Sequence, residues 1–173
     1  MRIKKLLICI CALAMMVCPI TAFAQDNNSI ERTNDVLNNE PPVIEYLSQE
    51  EAERLYNEWK ENQGISLYSD LQTCDIALTS SDGQLVVLYS TACRGIASKI
   101  GVRNFTLQQK SGLFWEDIVI KNEYAENTGT FLGGFKILNP VVGRNYRAHC
   151  THYAIKNGVE LSVYGETASF KFQ

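Results

Sequence analysis

The sequence predicts an all-β fold, an antiparallel β-sandwich of about seven strands that follows one amphipathic helix. Three observations predict it. From Ser66 onward apolar and polar residues alternate with period two, which is typical of half-buried strands. Short turn sequences rich in Gly, Asn and Asp separate these alternating stretches. Helical periodicity is confined to about residues 47–64, so strands make up most of the remaining chain.

Residues 1–24 are predicted to be a cleaved secretory signal peptide. A basic start is followed by an apolar run from Leu6 to Val17 and by Ala22-Phe23-Ala24, which has small residues, Ala22 and Ala24, at the two positions that signal peptidase reads. A run of about a dozen apolar residues is too short to span a membrane. Lipidation at Cys18 is the alternative, which the bulky Val17 before it disfavours. We therefore expect a secreted, extracellular protein and leave the signal out of the fold prediction.

The charge balance argues against nucleic acid and anionic lipid as partners. Three of the 16 Lys and Arg residues lie in the signal and all 19 Asp and Glu residues lie after it, so the net charge of −3 becomes −6 on cleavage. A basic patch is missing, and so is a second long apolar run. We expect no nucleic acid partner and no membrane insertion after signal cleavage. An unidentified protein or glycan remains as the expected partner.

Two segments precede the sandwich in the predicted domain order. Residues 25–46 are polar and acidic, and we expect a disordered tether there. Residues 47–64 are the amphipathic helix, in which Ser48 caps the first turn and Glu51 completes a capping box. Gly64 is the expected stop. The apolar face of this helix consists of Ala52, Leu55, Tyr56 and Trp59.

The β-sandwich domain is predicted to span residues 66–173. Its hairpin turns are Ser-Ser-Asp-Gly after the first strand, Lys110-Ser111-Gly112, and Lys156-Asn157-Gly158, where Asn-Gly is a strong hairpin signal. The predicted strands run in the order Cys74 to Thr79, QLVVLYSTACR, VRNFTLQQ, FWEDIVI, GTFLGGFKIL, NYRAHCTHYAI, VELSVYG and TASFKF.

A corner motif precedes the strand NYRAHCTHYAI. It has the form L-x-P-x-x-G-x-x-Y and consists of Leu138, Pro140, Gly143 and Tyr146. The motif resembles the loop before the sixth strand of fibronectin type III and immunoglobulin-like domains, where a tyrosine hydroxyl bonds back to the loop backbone. Through KIGVRNFTLQQKSGLFW and GRNYRAHCTHYAIKNGVELS, residues 74–173 also resemble small exported β-sandwich domains of unknown function from Gram-positive bacteria. Both resemblances imply an immunoglobulin/fibronectin-like sandwich, and neither supplies catalytic residues.

Three of the six cysteines remain after the signal, namely Cys74, Cys93 and Cys150. In an oxidising compartment we expect one disulfide and one thiol. The resemblance to immunoglobulin domains, with Trp115 between the two cysteines, implies an inter-sheet bridge from Cys93 to Cys150. A Cys74–Cys93 bridge across the first hairpin and the absence of any bridge are the alternatives.

His149, Cys150 and His152 are the strongest candidates for chemistry, because the chain has only two histidines. Strand alternation puts Cys150 and His152 on one face and His149 on the other. Two ligands on one face do not complete a metal site, so we expect no metal, no cofactor and no catalytic residue. Glu160, across the Asn-Gly hairpin, is the predicted cross-strand partner of His152.

The sequence lacks the motifs of common enzymes, including G-x-S-x-G, H-E-x-x-H and a phosphate-binding glycine loop. We therefore expect a secreted, non-catalytic module of the bacterial envelope or secretome that binds through its loops or an edge strand. A small secreted hydrolase or metal-binding protein that uses Cys150 and His152 is the alternative. Tyr153 and Tyr164 are candidates for a glycan-binding sheet face, although core packing is the favoured role for both.

Overall fold

The computed structural model describes residues 40–61 and 71–173, which belong to one compact unit, Asn38–Gln173. The predicted signal peptide, most of the predicted tether, and Gly64 lie outside the described residues. The elements are β1 (Ile44–Tyr46), α1 (Gln49–Lys60), β2 (Leu71–Ser81), β3 (Gln84–Ser111), β4 (Phe114–Ile137), β5 (Asn145–Lys156), β6 (Val159–Glu166) and β7 (Phe170–Lys171). All strand pairs are antiparallel, which confirms the predicted all-β, sandwich-like fold.

β3 and β4 are long enough to run through both layers of the sandwich. Residues 84–93 of β3 pair with β2 on one side and with residues 130–137 of β4 on the other. Residues 97–111 of β3 pair with residues 114–128 of β4 and, on their other side, with β5. The ribbon of β3 and β4 thus belongs to two layers. We call them the helix layer, which also contains β1 and β2, and the β5 layer, which also contains β5, β6 and β7.

The bend between the layers lies where the ladder of β3 and β4 shifts register, after Ala92. Gly95 has a φ of +81° there, a conformation that glycine adopts without steric cost. Opposite it, a Cβ on Gly129 would lie 2.3 Å from the carbonyl oxygen of Gly95. The backbones of β3 and β4 therefore touch directly at the bend, which leaves no room for a side chain at Gly129.

The continuous strands differ from the sequence prediction. QLVVLYSTACR and VRNFTLQQ, predicted as separate strands, are the two parts of β3. FWEDIVI and GTFLGGFKIL are likewise the two parts of β4. A register shift bends a strand without ending its hydrogen-bonded ladder. The polar and glycine residues at the bend have the composition of a loop, so the sequence pattern predicted a loop there. The predicted hairpin turns are present, with positive φ at Gly83, Gly112 and Asn157 among others.

The main core fills the space between the two layers. Leu85, Val87 and Tyr89 point into it from the helix layer, and Phe105 and Leu107 from the β5 layer. All five side chains are fully buried. A second apolar cluster lies on the outer side of the helix layer, where α1 packs against the sheet through Leu55, Tyr56, Ala77, Val86 and Leu88.

α1 begins as predicted and docks on its own sandwich. The Ser48 hydroxyl accepts a hydrogen bond from the backbone N–H of Glu51 at 3.2 Å. The Glu51 carboxylate does not return to Ser48, as the capping box required, because it binds the ammonium of Lys136 on β4 instead. The predicted tether ends too late, since Ile44–Tyr46 forms β1 and pairs with β4.

Hydrogen bonds to main-chain groups hold the loop that forms the corner before β5. The buried hydroxyl of Tyr146 accepts a hydrogen bond from the backbone N–H of Val141 at 2.8 Å. Leu138 donates its N–H to Val43, which ties the loop to the chain before β1. Gly143 has a φ of +82° and donates its N–H to Phe172 at 2.8 Å. Pro140 lies between these contacts, in the part of the loop without hydrogen-bonded regular structure.

Candidate functional site

Cys150 and His152 lie side by side in the core, and Thr91 reaches them from the facing layer. The Cys150 Sγ is 3.3 Å from His152 Nε2. On the other side of the ring, His152 Nδ1 is 2.8 Å from the Thr91 hydroxyl. That hydroxyl in turn donates to the carbonyl oxygen of Gly101 at 3.2 Å. Four groups from β3 and β5 therefore form one buried hydrogen-bonded chain.

The Thr91 hydroxyl and the Gly101 carbonyl decide which groups in this series of hydrogen bonds are donors. Thr91 has one hydroxyl proton, which it donates to Gly101, so its oxygen accepts from His152 Nδ1–H. Nε2 then carries a lone pair, and the thiol of Cys150 donates to it. The imidazole is neutral in this arrangement, and every polar atom of the chain has a partner.

Burial fixes these protonation states. His152 is 0 % exposed, and burial lowers the pKa of its imidazole to about 4. Cys150 is 1 % exposed, and burial, together with the nearby Cys74, raises the pKa of its thiol to about 12. A reactive pair needs an accessible thiolate. This geometry supplies a protonated thiol inside the core, which suits packing.

All three cysteines are buried free thiols in this structure, so the predicted bridge from Cys93 to Cys150 is not formed. Cys93 packs with Cys74 and Leu71 in a cluster of its own. Its Sγ lies 3.6 Å from the carbonyl oxygen of Gly95, at the bend. Cys150 points into the main core beside His152. The predicted bridge does not form because Cys93, near the bend of β3, and Cys150 belong to different core clusters.

The predicted pairing of His152 with Glu160 is also wrong. In the ladder of β5 and β6, His152 lies opposite Val163, and Glu160 lies opposite Ile155. His152 points into the core between the layers, whereas Glu160 points to the outer face of the β5 layer, so the two side chains cannot meet. Glu160 instead accepts two hydrogen bonds from the guanidinium of Arg103, at 2.6 and 2.9 Å.

The outer face of the β5 layer brings together aromatic side chains from three strands. Tyr124 on β4 and Tyr153 on β5 both lie opposite Gly101 on β3. A Cβ on Gly101 would lie 2.6 Å from the Cα of Tyr124 and 2.1 Å from the neighbouring backbone oxygen, so the row needs glycine at its centre. Tyr164 on β6 lies in the next row, opposite Thr151, and its ring centroid is 6.0 Å from that of His149.

These aromatic residues differ in exposure and in their cationic neighbours. Tyr164 is 60 % exposed and Tyr124 is 51 % exposed, whereas Tyr153 is only 7 % exposed. The Lys99 ammonium lies 3.6 Å from the ring centroid of Tyr124, and the Arg103 guanidinium lies 5.5 Å from that of Tyr153. Of the two tyrosines predicted from sequence, Tyr164 therefore offers an open ring, and Tyr153 is packed under Arg103.

Both signs of charge are present on this outer face. Arg103 forms an ion pair with Glu160, and Gln108 donates a hydrogen bond to Asp117 at 2.6 Å. The sequence missed Gly101 and Tyr124 as parts of this face. A glycine inside a strand, which often marks a close approach, was the available signal. The charged residues that the register places on this face are Lys99, Arg103, Lys110, Arg147, Lys171, Asp117, Glu126, Glu160 and Glu166.

No family model matches the chain, and no curated protein matches it either. Within residues 40–61 and 71–173, no group of three or more His, Cys, Asp or Glu side chains is placed to hold a metal ion. The one helix described in this part of the chain is too short and too polar to cross a bilayer.

Proposed function

We propose that this protein is a secreted, non-catalytic binding module that holds a neutral glycan on the outer face of the β5 layer. The observation that carries the proposal is the open ring of Tyr164 on that face, 60 % exposed, with Tyr124, 51 % exposed, in the neighbouring row. Tyrosine rings pack against the apolar C–H faces of sugar rings, and their hydroxyls exchange hydrogen bonds with sugar hydroxyls.

The surroundings of these rings favour a neutral ligand. The row of Tyr124, Gly101 and Tyr153 is flat at its centre, because glycine adds no side chain there. Thr151 lies in the adjoining row, opposite Tyr164, and supplies a hydroxyl group beside that ring. Arg103 on this face is already paired with Glu160, so an anionic ligand that bound Arg103 would have to displace that carboxylate.

Secretion and the lack of catalysis are part of the same proposal. Secretion is supported by the signal pattern of residues 1–24. The absence of catalysis is supported by the burial of Cys150 and His152, the pair most suited to nucleophilic chemistry by residue type. The outer face, by contrast, presents tyrosine and threonine hydroxyls without a neighbouring buried base.

The test is calorimetric titration of the mature protein with soluble oligosaccharides of β-linked glucose, xylose and N-acetylglucosamine. We expect one of these probes to bind, and Tyr164→Ala to weaken it at least tenfold. Tyr46→Ala is the matched control, since Tyr46 is 62 % exposed but lies on β1 in the helix layer. Its affinity should stay within twofold of the unaltered protein.

Three outcomes would contradict the proposal. The first is that none of the three oligosaccharide series binds. In the second, Tyr46→Ala weakens binding as much as Tyr164→Ala does, so that any exposed ring serves. The third is hydrolysis of the bound probe, seen as shortened products by mass spectrometry, which would make the protein an enzyme.

A further inference from the structure

The hairpin between β3 and β4 presents an apolar tip to solvent at one end of the β5 layer. Ser111 lies opposite Phe114, and Gly112 between them has a φ of +58°. Glycine at the first central position of a two-residue loop is typical of a type II′ turn, and Leu113 is the second central residue. Leu113 is 89 % exposed and Phe114 is 74 % exposed. The two most exposed large apolar side chains among the described residues are therefore neighbours at one turn.

A third exposed apolar side chain lies at the same end of the layer. The start of β5 is opposite the end of β3, since Tyr146 pairs with Gln109. The corner loop before β5 is therefore at the same end as the turn, and Val142 in this loop is 73 % exposed. The hydrogen bond from the N–H of Gly143 to Phe172 holds this loop on β7. Apolar side chains from two loops thus project from one end of the protein.

Positive side chains lie directly behind this tip on the outer face of the β5 layer. Lys110 and Trp115 are opposite each other in the first row behind the turn, and the ammonium is 6.0 Å from the indole ring centroid. Lys171 extends that row on β7, where it pairs with Asn145. Arg147 lies in the next outer-face row, and its guanidinium is 4.3 Å from the ring centroid of Trp115. Three strands therefore bring three cations to the base of the tip.

The charge of these cations is not neutralised by ion pairs within the protein. Lys110, Arg147 and Lys171 take part in none of the ion pairs found among the described residues. The Nε–H of Arg147 donates instead to the neutral carboxamide of Gln108 at 2.7 Å.

Carboxylates are fewer than cations in this part of the outer face. Asp117 is the one carboxylate that the register of the described residues places in the two rows, and it accepts a hydrogen bond from Gln108. Glu116 precedes it in the strand, so its side chain points to the other face of β4. Three positive charges and one negative charge therefore lie behind the tip on this face.

The order of these groups along the strands matches the change in polarity across a bilayer surface. Strands rise by about 3.4 Å per residue, so the row of Arg147 lies about 10 Å behind Phe114. The headgroup region on each side of the hydrocarbon core is about 5–8 Å thick. With Leu113 and Phe114 at the acyl-chain boundary, Trp115 and Lys110 lie at the level of the headgroups. Tryptophan and long basic side chains favour this level in membranes.

The shape of the tip favours a bilayer over a protein pocket as its partner. Leu113 and Val142 project from two separate loops, and neither lines a depression that could hold a partner's side chain. A fluid bilayer adapts to a convex apolar tip, and anionic headgroups attract the cations behind it. The expectation that anionic lipid is not a partner rested on the lack of a basic run along the chain. The fold instead gathers Lys110, Arg147 and Lys171 from distant positions.

We propose that this end of the protein docks on the surface of an anionic lipid bilayer. Leu113 and Phe114 insert into the outer part of the bilayer without crossing it, and the three cations bind lipid phosphates. Tyr124 and Tyr164 take no part in this contact, so the glycan proposal and this one can each fail without the other.

The test is flotation of the mature protein with lipid vesicles. One set contains phosphatidylcholine and phosphatidylglycerol in equal parts, and the other contains phosphatidylcholine alone. We expect binding to the mixed vesicles and at least tenfold weaker binding to the neutral ones, because three cations lose their anionic partners. High salt should weaken binding to the mixed vesicles only.

Substitutions at the tip test the apolar contact separately from the charges. Leu113→Ser combined with Phe114→Ser should weaken binding to mixed vesicles at least tenfold, since two apolar side chains lose their burial. Both positions are exposed, so the variant should fold. Val159→Ser is the matched control, because Val159 is 61 % exposed and flanks the β5–β6 hairpin turn at the opposite end of β5. Its binding should stay within twofold of the unaltered protein.

Charge variants test the second part of the contact. Lys110→Gln and Lys171→Gln should each weaken binding to mixed vesicles about fivefold. Lys156→Gln is the control, because Lys156 lies at the other end of β5 and should leave binding within twofold.

Tryptophan fluorescence reports the orientation on the vesicle. In Trp59→Phe only Trp115 remains, and its emission should shift to shorter wavelength on mixed vesicles and be quenched by lipids brominated on the acyl chain. In Trp115→Phe only Trp59 remains, on α1, and its emission should not change.

Four outcomes would overturn the proposal. The first is that mixed vesicles do not bind the protein. In the second, the double serine variant binds as tightly as Val159→Ser, so that the tip is not inserted. The third is a shift of Trp59 emission without one of Trp115, which would place another surface on the bilayer. The fourth is equal binding to neutral and mixed vesicles, which would leave the cations without a role.

Discussion

His152 shows at the scale of one residue how a polar group becomes part of the core. Its two ring nitrogens are saturated by Thr91 and Cys150, so burial leaves no unsatisfied donor or acceptor. Burial of a charged imidazole in the same place would carry a large desolvation cost, which is why its pKa is lowered to about 4. The histidine is therefore neutral over the physiological range, in contrast to an ordinary surface histidine.

This lowered pKa makes stability depend on pH in a defined window. Between pH 6.5 and about 4 the unfolded chain binds a proton at His152 and the folded chain does not, so the free energy of unfolding falls as the pH falls. We expect this one group to remove about 2 kcal/mol between pH 7 and pH 5. Urea denaturation at a series of pH values measures the slope, which should flatten in His152→Gln.

His149→Gln is the control, because that side chain lies on the outer face, away from the buried hydrogen bonds of His152. NMR provides a direct check on the unaltered protein, since the ring protons of His152 should titrate with a midpoint near pH 4. A midpoint near 6.5 would contradict the assignment of a buried neutral ring, whatever the stability of His152→Gln.

At the scale of the element, the bend in β3 and β4 decides how the sandwich is built. If a loop joined two separate strands, their positions in the two layers could vary independently. The continuous ribbon of β3 and β4 instead sets the position of both layers through one hydrogen-bonded ladder. The contact of Gly95 with Gly129 permits the bend, because the two backbones approach closely there. Position 129 therefore requires glycine because a larger residue would not fit. The turn glycines are required for a different reason, which is their positive φ.

Gly129→Ala should therefore destabilise the protein although it adds one methyl group. The new Cβ would lie 2.3 Å from a backbone oxygen, and the ribbon has to shift to accommodate it. Overpacking of this kind costs about 1–3 kcal/mol or more. Thr130→Ala is the control, since Thr130 is exposed and its loss should cost less than about 0.5 kcal/mol. Equal midpoints of chemical denaturation for the two variants would contradict a backbone contact at the bend.

At the scale of the whole molecule, the two outer faces of the sandwich differ in what covers them. α1 covers the helix layer with Leu55 and Tyr56, and the Tyr56 hydroxyl donates to Asp75 on β2. The outer face of the β5 layer instead presents Tyr124 and Tyr164 to solvent. Since both layers share β3 and β4, unfolding of either layer disrupts strands of the other.

Cooperative unfolding is therefore the prediction for the described domain, and the two tryptophans report on it separately. Trp59 lies on α1 and Trp115 lies on β4 in the β5 layer. In Trp115→Phe only Trp59 remains, and in Trp59→Phe only Trp115 remains. For each variant, the urea midpoint from fluorescence should equal the midpoint from circular dichroism. An earlier fluorescence transition at Trp59 alone would show that α1 detaches before the sheets unfold.

Local sequence patterns predicted the features that depend on neighbours in the chain. Period-two alternation, turn residues and the cap at Ser48 located most of the strand segments, the hairpin turns and the start of α1, whereas β1 and the continuity of β3 and β4 were missed. The same alternation separated His149 from Cys150 and His152, and the structure has them on opposite faces. These features required only contacts between residues close in sequence.

Tertiary structure alone decided which strands are continuous and which side chains meet. A bent strand and two short strands give the same local pattern, so the extent of β3 and β4 was not predictable from it. Thr91 meets His152 across 61 positions of sequence, and the Tyr124 row is assembled from three strands. Such partners are fixed by ladder register and by the packing of one layer on the other. A displacement of two residues along either strand would leave the sequence pattern unchanged and would replace every partner.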